Sequence, residues 1–369
     1  MVDRQFPATL TATRIKLLRR GLLSWFRRYA LPLPWRASRD PYAIWVSEVM
    51  LQQTQIRTVI PYYERFLAAF PTVTALAHAP LERVLQLWEG LGYYRRAHQL
   101  HAAAQRIMVQ HQGRIPNEPD RFAELPGVGR YTLGAVLSQA FDLRLPILDG
   151  NVARVLTRYC ACQAPIKSPA AQTWLWSVAE KILPNKNVGA FNQALMELGQ
   201  RICTLKQTSC LLCPISRECA ARQLGIQKQI PKASPRVRFT ACAIDVAIIG
   251  RADKVLVVQR PAKGRWANLW EFPQWDRQQD KVPNQIEITR QFKELTGIQV
   301  SDWQPADQLR HVITRFVLTF NVWRGQGVKG RFVSKLYQDH RWLPVSKLSG
   351  LPFSRPMRKL AQGLCDGHQ

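Results

Sequence analysis

Four cysteines fall within one short stretch: Cys203, Cys210, Cys213 and Cys219, spaced C-x6-C-x2-C-x5-C. Thiolates this close in sequence can converge on one metal centre without help from the rest of the fold. Structural zinc often pairs two C-x2-C knuckles, and this stretch has a single one. A cubane iron–sulfur cluster also takes four thiolates and tolerates looser spacing. Two disulfides are a third reading, ranked last because nothing else in the chain speaks for an oxidising compartment. The other cysteines, Cys160, Cys162, Cys242 and Cys365, have no framework spacing and read as free thiols.

Two carboxylates are placed for acid–base work. Glu48 lies in DPYAIWVSEVMLQQTQ, where Asp40 can cap a helix and Pro41 can open it. Glu48 then shares a face with Ile44, Trp45 and Leu51. Desolvation on such a face raises a carboxyl pKa, which suits a general acid, whereas pairing with an arginine would lower it. Asp149, in ILDGNVARVL, is placed to cap the helix carrying Val152 and Val155. The helix N-terminus favours its ionised form, and an ionised carboxylate is what a cationic sugar centre needs. Between them stands LPGVGR at 125–130. Pro126 and Gly127 end one helix, Gly129 permits a tight turn and Arg130 opens the next. Such a helix–hairpin–helix lets backbone N–H groups cradle a phosphate.

These residues need a scaffold of two kinds. From about residue 12 to 222 apolar residues recur at three and four, as in 81–87, 98–108, 133–140 and 170–182, which predicts an all-α domain. Ile15, Leu18, Leu22, Trp25 and Phe26 predict a core-packing helix near the N-terminus, with no signal-peptide core. The segment IQKQIPKASPRVRF at 226–239 holds two prolines, four basic residues and no acid, and reads as an extended linker. Beyond it, 240–249, 254–259 and 312–322 read as strands, with one helix at 287–295. The expected division is 1–225, a basic linker at 226–238, and an α/β domain at 239–369.

Composition narrows the partner. The 369 residues carry 52 lysines and arginines against 25 acids, a formal charge of +27. The excess runs through both halves, as expected if both contact a phosphate backbone. No apolar run is long enough to span a membrane. A monomeric, cytoplasmic, nucleoid-associated protein is the expectation.

The cysteine loop, LPGVGR and ILDGN together resemble the endonuclease III superfamily of DNA glycosylases. SEVMLQQTQ, EGLGYYRRA at 89–97 and GAFNQALMELG at 189–199 resemble more narrowly the MutY-type adenine DNA glycosylases. The resemblance implies a [4Fe–4S] cluster on the four cysteines and excision of adenine mispaired with 8-oxoguanine or guanine in double-stranded DNA. It implies that Glu48 protonates the adenine and Asp149 stabilises the sugar cation. Tyr131 and Asn151 would support the sugar side. Arg36 and Gln193 would read the adenine, Gln53 and Tyr93 would sit near the 8-oxoguanine, and Gly127 and Gly129 would hold the backbone. Relatives that also cut the strand carry a lysine directly after GVGR. Tyr131 stands there instead, and a phenol forms no Schiff base.

The C-terminal part resembles a nudix fold with its metal site dismantled. In RQFKELTGI, at 290–298, only Glu294 remains of three expected acids, so recognition rather than hydrolysis is implied. The family's Phe-Ser-His recognition loop aligns with Ile313, Thr314 and Arg315, after His311. Thr314 keeps the hydroxyl, while the aromatic and the imidazole are lost.

Overall fold

The spacing of Ile15, Leu18, Leu22, Trp25 and Phe26 becomes the buried stripe of helix α1 (Ala12–Tyr29). The computed structural model describes residues 6, 10–232, 238–277 and 283–366. Helices follow in short succession: α2 (Pro41–Leu51), α3 (Ile56–Ala69), α4 (Val73–His78), α5 (Leu81–Trp88), α6 (Arg95–His111) and α7 (Pro119–Ala123). They continue with α8 (Arg130–Phe141), α9 (Gly150–Cys160), α10 (Pro169–Lys181), α11 (Val188–Arg201) and α12 (Ala220–Gln223). Asp40 caps α2, accepting from the Tyr42 N–H at 3.0 Å, and Pro41 opens it. Residues 42–50 of α2 are all buried, so this helix runs through the core.

Close packing of α11 rests on its glycines. A Cβ at Gly199 would meet the Asn151 Cβ at 2.7 Å, and one at Gly189 would meet the Ser138 carbonyl oxygen at 2.4 Å. Lacking side chains there, α11 seats directly on α8 and on the start of α9. One core joins these helices to α1, through Leu18, Leu22, Val152, Leu156, Phe191 and Leu195.

After residue 238 the period changes from helix to strand. The strands are β1 (Thr240–Arg251), β2 (Lys254–Gln259), β3 (Trp270–Glu271) and β4 (Gln274–Asp276). Then come α13 (Gln285–Thr296), β5 (Asp302–Ile313), β6 (Phe316–Gln326), β7 (Asp339–Pro344) and α14 (Arg355–Asp366). The sheet order is β3-β2-β1-β6-β5, with β4 paired to β1 and β7 to β2. β1 and β6 run parallel, from Thr240 opposite Phe316 to Ile249 opposite Gly325. Ile244, Val246 and Ile248 face a core with Met357 and Leu360 of α14. Ala247 and Ile249 face a second core with Ile288 and Phe292 of α13. The sheet is therefore covered on both faces, which is why β1 reads as a continuous apolar run.

Two expectations are corrected. The strand placed over 312–322 is two strands, because Thr314, at φ 51°, and Arg315 turn the chain between β5 and β6. The extended linker is not extended over 226–232: the Gln229 N–H bonds to the Ile226 carbonyl, and buried Ile230 accepts from Arg158 Nε at 2.7 Å. Residues 233–237 of that linker lie outside the described residues. The chain forms two compact units: one comprises Met1–Ala77 and Ala102–Pro235, the other His78–His101 and Arg236–Gln369. The stretch His78–His101 joins the second unit through polar anchors. Glu89 pairs with Arg358 and accepts from the Phe353 N–H at 3.1 Å, and the Tyr94 hydroxyl donates to the Phe353 carbonyl at 3.0 Å.

Candidate active site

Glu48 is 3 % exposed on α2, and two neutral donors from α8 meet it. The Tyr131 hydroxyl donates to Glu48 Oε2 at 2.8 Å, and Gln139 Nε2 donates to Oε1 at 2.7 Å. Burial pushes the Glu48 carboxyl up from its ordinary value. The bonds from Gln139 and Tyr131 pull against burial, the Asp149 charge adds to it and the Arg36 charge opposes it. The raising effect wins, as for other desolvated carboxyls. Tyr131 is itself pushed well up by burial and by both carboxylates, so it stays a neutral donor.

Asp149 caps α9. Its Oδ1 accepts from the Val152 N–H at 2.7 Å and its Oδ2 from Asn151 Nδ2 at 2.8 Å. Asn151 is held in turn by Arg154, whose Nη2 donates to Asn151 Oδ1 at 2.8 Å and to the Gly199 carbonyl at 2.7 Å. The sequence leads one to expect the helix N-terminus to keep Asp149 ionised. Burial instead raises it, against the pull of the Val152 and Asn151 donors and of Arg154. Asp149 nevertheless has more ionic support than Glu48, and such unequal surroundings separate an acid from an anion.

Both carboxylates line one cavity of about 780 Å³, together with Tyr131, Asn151, Arg36, Gln193 and Gln53. Arg36 Nε donates to Gln193 Oε1 at 2.8 Å, and Arg36 Nη1 donates to Glu197 Oε2 at 2.6 Å. Gln193 thus turns its carbonyl to Arg36. Sequence reasoning missed Gln139, Met196 and Glu197, which also line the cavity. Met196 and Glu197 follow Gln193 at three and four residues on α11, a helical-face signal that was there to use. Gln139 had no such signal, because its meeting with Glu48 is set by how α8 crosses α2.

The four loop cysteines surround a second cavity, beside Arg158 and Gln227. Arg158 Nη1 donates to Cys203 Sγ at 3.2 Å and to the Thr204 carbonyl at 2.7 Å. Gln227 Oε1 is buried without a hydrogen-bond partner at this same cavity. Among the described residues no three Cys, His, Asp or Glu side chains are placed to hold a single metal ion. Four cysteines at one cavity are a donor set that a metal centre of four thiolates can use.

The remaining expected residues lie elsewhere. Gly127 takes φ 81° in the turn between α7 and α8, so it, rather than Gly129, supplies the left-handed conformation. Gly129 is extended at the head of α8, with no side chain capping the helix and open space where its Cβ would be. In the second unit, Tyr93 is 47 % exposed at φ 48° in the loop between α5 and α6, with the Arg96 guanidinium 5.5 Å over its ring. His311 is half-buried on β5, and Thr314 is exposed at the β5–β6 turn, its hydroxyl donating to the Ile313 carbonyl at 2.8 Å. Glu294, the surviving acid of the dismantled box, is exposed and paired with Arg290 at 3.1 Å.

Comparison with known proteins gives the family. Residues 46–181 match the HhH-GPD superfamily of base excision DNA repair proteins, and residues 245–363 match the NUDIX domain. The adenine DNA glycosylase of Rattus norvegicus is 32 % identical over 414 residues, covering 96 % of this chain and 80 % of the relative. That of Buchnera aphidicola from Acyrthosiphon pisum is 30 % identical over 345 residues, covering 92 % and 95 %. The solved structure of a thermostable thymine-DNA glycosylase superposes with a TM-score of 0.53 at 27 % identity, over 57 % of this chain and 98 % of that one. With likeness running through the helical part and the sheet part alike, and a buried and a half-buried carboxylate at one cavity, this chain belongs to the adenine DNA glycosylases.

Proposed function

We propose that the protein removes adenine mispaired with 8-oxoguanine or guanine from duplex DNA by hydrolysis alone, without cutting the strand. One observation carries this reading: Glu48 and Asp149 line the same cavity, and a phenol, Tyr131, bonded to Glu48, stands where a strand-cutting relative has lysine. An adenine must leave the base stack before its glycosidic bond can be reached, and the cavity is the place for it. Arg36 and Gln193 hold the base. Glu48 delivers a proton to the purine ring as the glycosidic bond breaks and its electron pair leaves with the base. Asp149, steadied by Asn151, offsets the positive charge left on the sugar. Water adds to the anomeric carbon and loses a proton, which leaves an abasic site. Gln53 and Tyr93 act on the side of the opposite base, and Gly127 and Gly129 let the backbone approach a phosphate. The NUDIX-like part, with His311 and Thr314, reads the opposite base. The protein acts as a monomer on DNA, and the helical residues up to 225, the basic stretch 226–238 and residues 239–369 divide the work.

The test is incubation with duplexes carrying adenine opposite 8-oxoguanine, adenine opposite guanine, or thymine glycol, with breaks scored before and after alkali. Breaks are expected only after alkali, and only for adenine. Stoichiometric borohydride trapping at levels matching excision would show an amine at work and overturn the monofunctional reading.

The four cysteines would hold a [4Fe–4S] cluster, which supplies a covalent tie across the loop. Arg158 would donate to one of its thiolates, as it does to Cys203 Sγ. The purified protein is expected to be brown, with iron and sulfide each near four per chain. Zinc without iron, from cells grown with ample iron, would sink the assignment.

A further inference from the structure

The turn between β5 and β6 lies beside a second loop that no motif singled out. Trp266, in that loop, sits with its ring centroid 6.4 Å from His311 and 6.3 Å from Phe320. The Arg265 guanidinium lies 5.2 Å over the Phe316 ring and 5.8 Å over that of Trp266. Arg315 lies 5.3 Å over the same Phe316 ring. Trp266, His311 and Phe316 are half-buried, while Arg265 and Arg315 are exposed. Trp266 and His311 meet at a tilt of 43°, and Arg265 lies over both Trp266 and Phe316, so three rings and two guanidiniums cluster at this turn.

The loop carries backbone strain. Gly264, Trp266 and Asn268 have φ of 98°, 56° and 59°, and Thr314 across from them has 51°. A bulky residue at positive φ is a rare and costly conformation, and such strain persists only where the surroundings enforce it. Here they do. Arg260 Nε donates to the Arg265 carbonyl at 2.7 Å, the Asn268 N–H to the Pro261 carbonyl at 3.2 Å, and Gln259 Nε2 to the Asn268 carbonyl at 3.1 Å. A tryptophan needed only to fill the core could sit on a relaxed backbone.

We propose that Trp266, His311 and Phe316, rimmed by Arg265 and Arg315, form a platform that stacks a purine of the strand opposite the excised adenine. Aromatic faces accept any base, and guanidiniums beside them take the flanking phosphates. The platform supplies from another loop the ring that Ile313 no longer offers. Burial and the nearby Arg355 charge hold His311 below its ordinary value, so its ring is a neutral stacking surface. The assignment rests on the reading of the protein as a mispair glycosylase, and names the residues that meet the opposite base.

The test uses the full-length protein and equilibrium binding to duplexes with a non-cleavable 2′-fluoro adenosine. The opposite position holds 8-oxoguanine, guanine or a tetrahydrofuran abasic analogue. Trp266→Leu keeps apolar volume and removes the π face. It is expected to weaken binding about ten- to hundredfold opposite either purine, the range of a lost base–aromatic stack, and to leave the abasic duplex unaffected. Trp266→Phe should retain most of the purine affinity. Arg315→Ala should weaken all three duplexes alike and lower the salt slope by about one. Equal weakening on all three by Trp266→Leu, or no weakening on any, overturns the platform. Should Trp266→Leu melt below the assay temperature, His311→Ala takes its place under the same criterion. Comparing a base with no base does not depend on excision. A wild type that binds but excises no adenine therefore overturns the glycosylase reading separately.

Discussion

Glu48→Gln is expected to bind a duplex carrying adenine opposite 8-oxoguanine and to leave the base attached. The amide keeps the shape and can still accept from Tyr131 and donate to Gln139 once that amide turns, so the pocket should persist. What it lacks is a proton to give, and general acid help is worth roughly 10²–10⁴ in rate. Single-turnover excision should fall by that factor while affinity stays near wild type. The pH profile adds a second check. A general acid works only while protonated, so activity falls as pH rises through the Glu48 pKa, which burial has moved up. The high-pH limb therefore lies above the range of an ordinary carboxyl, and it should vanish in Glu48→Gln. Wild-type excision by this variant would make Glu48 a packing residue only.

Asp149→Asn should be damaged to a comparable depth for the opposite electrical reason. A neutral amide no longer offsets the charge that builds on the sugar, and losing one such stabiliser costs about 10²–10³ in rate. An anion works only above its pKa, so Asp149 sets the low-pH limb, which burial has also moved up. The two carboxyls influence one another, so the limbs report the pair. The variant should still cap α9, since asparagine accepts from an N–H as aspartate does. Unchanged melting with lost excision is the expected pair of results. Lost melting with proportionate loss of excision would reduce Asp149 to a cap.

Much of the site was legible because it is local. Asp40 and Pro41 announced the start of α2, and the apolar face of that helix announced the burial of Glu48. The capping role of Asp149 followed from ILDGN alone. The lone C-x2-C knuckle marked the cysteine loop, and its four cysteines do line one cavity. What stayed hidden depends on how distant elements cross. Gln139 reaches Glu48 across two helices, and Trp266 reaches His311 across two loops. Turn chemistry hid the β5–β6 break, since Thr314 is β-branched and ordinarily favours a strand. The basic, proline-bearing stretch after residue 226 looked unattached because the bond from Arg158 to the Ile230 carbonyl joins residues 72 positions apart.

The membership of His78–His101 in the second unit bears on the order in which the chain is made. Glu89 and its partner Arg358 are separated by 269 positions, and Tyr94 and Phe353 by 259. Synthesis proceeds at roughly 5–20 residues per second, and domains tend to fold from the N-terminus as they emerge. The anchors of this stretch therefore leave the ribosome well after the stretch itself. Until then Glu82, Glu89 and Tyr94 lack the partners that Trp270, Arg341, Phe353 and Arg358 provide. The loop that presents Tyr93 gains its final bracing only when the C-terminal helix α14 is complete. A nascent chain is thus kept from a finished Tyr93 loop until the part that follows the sheet has been translated.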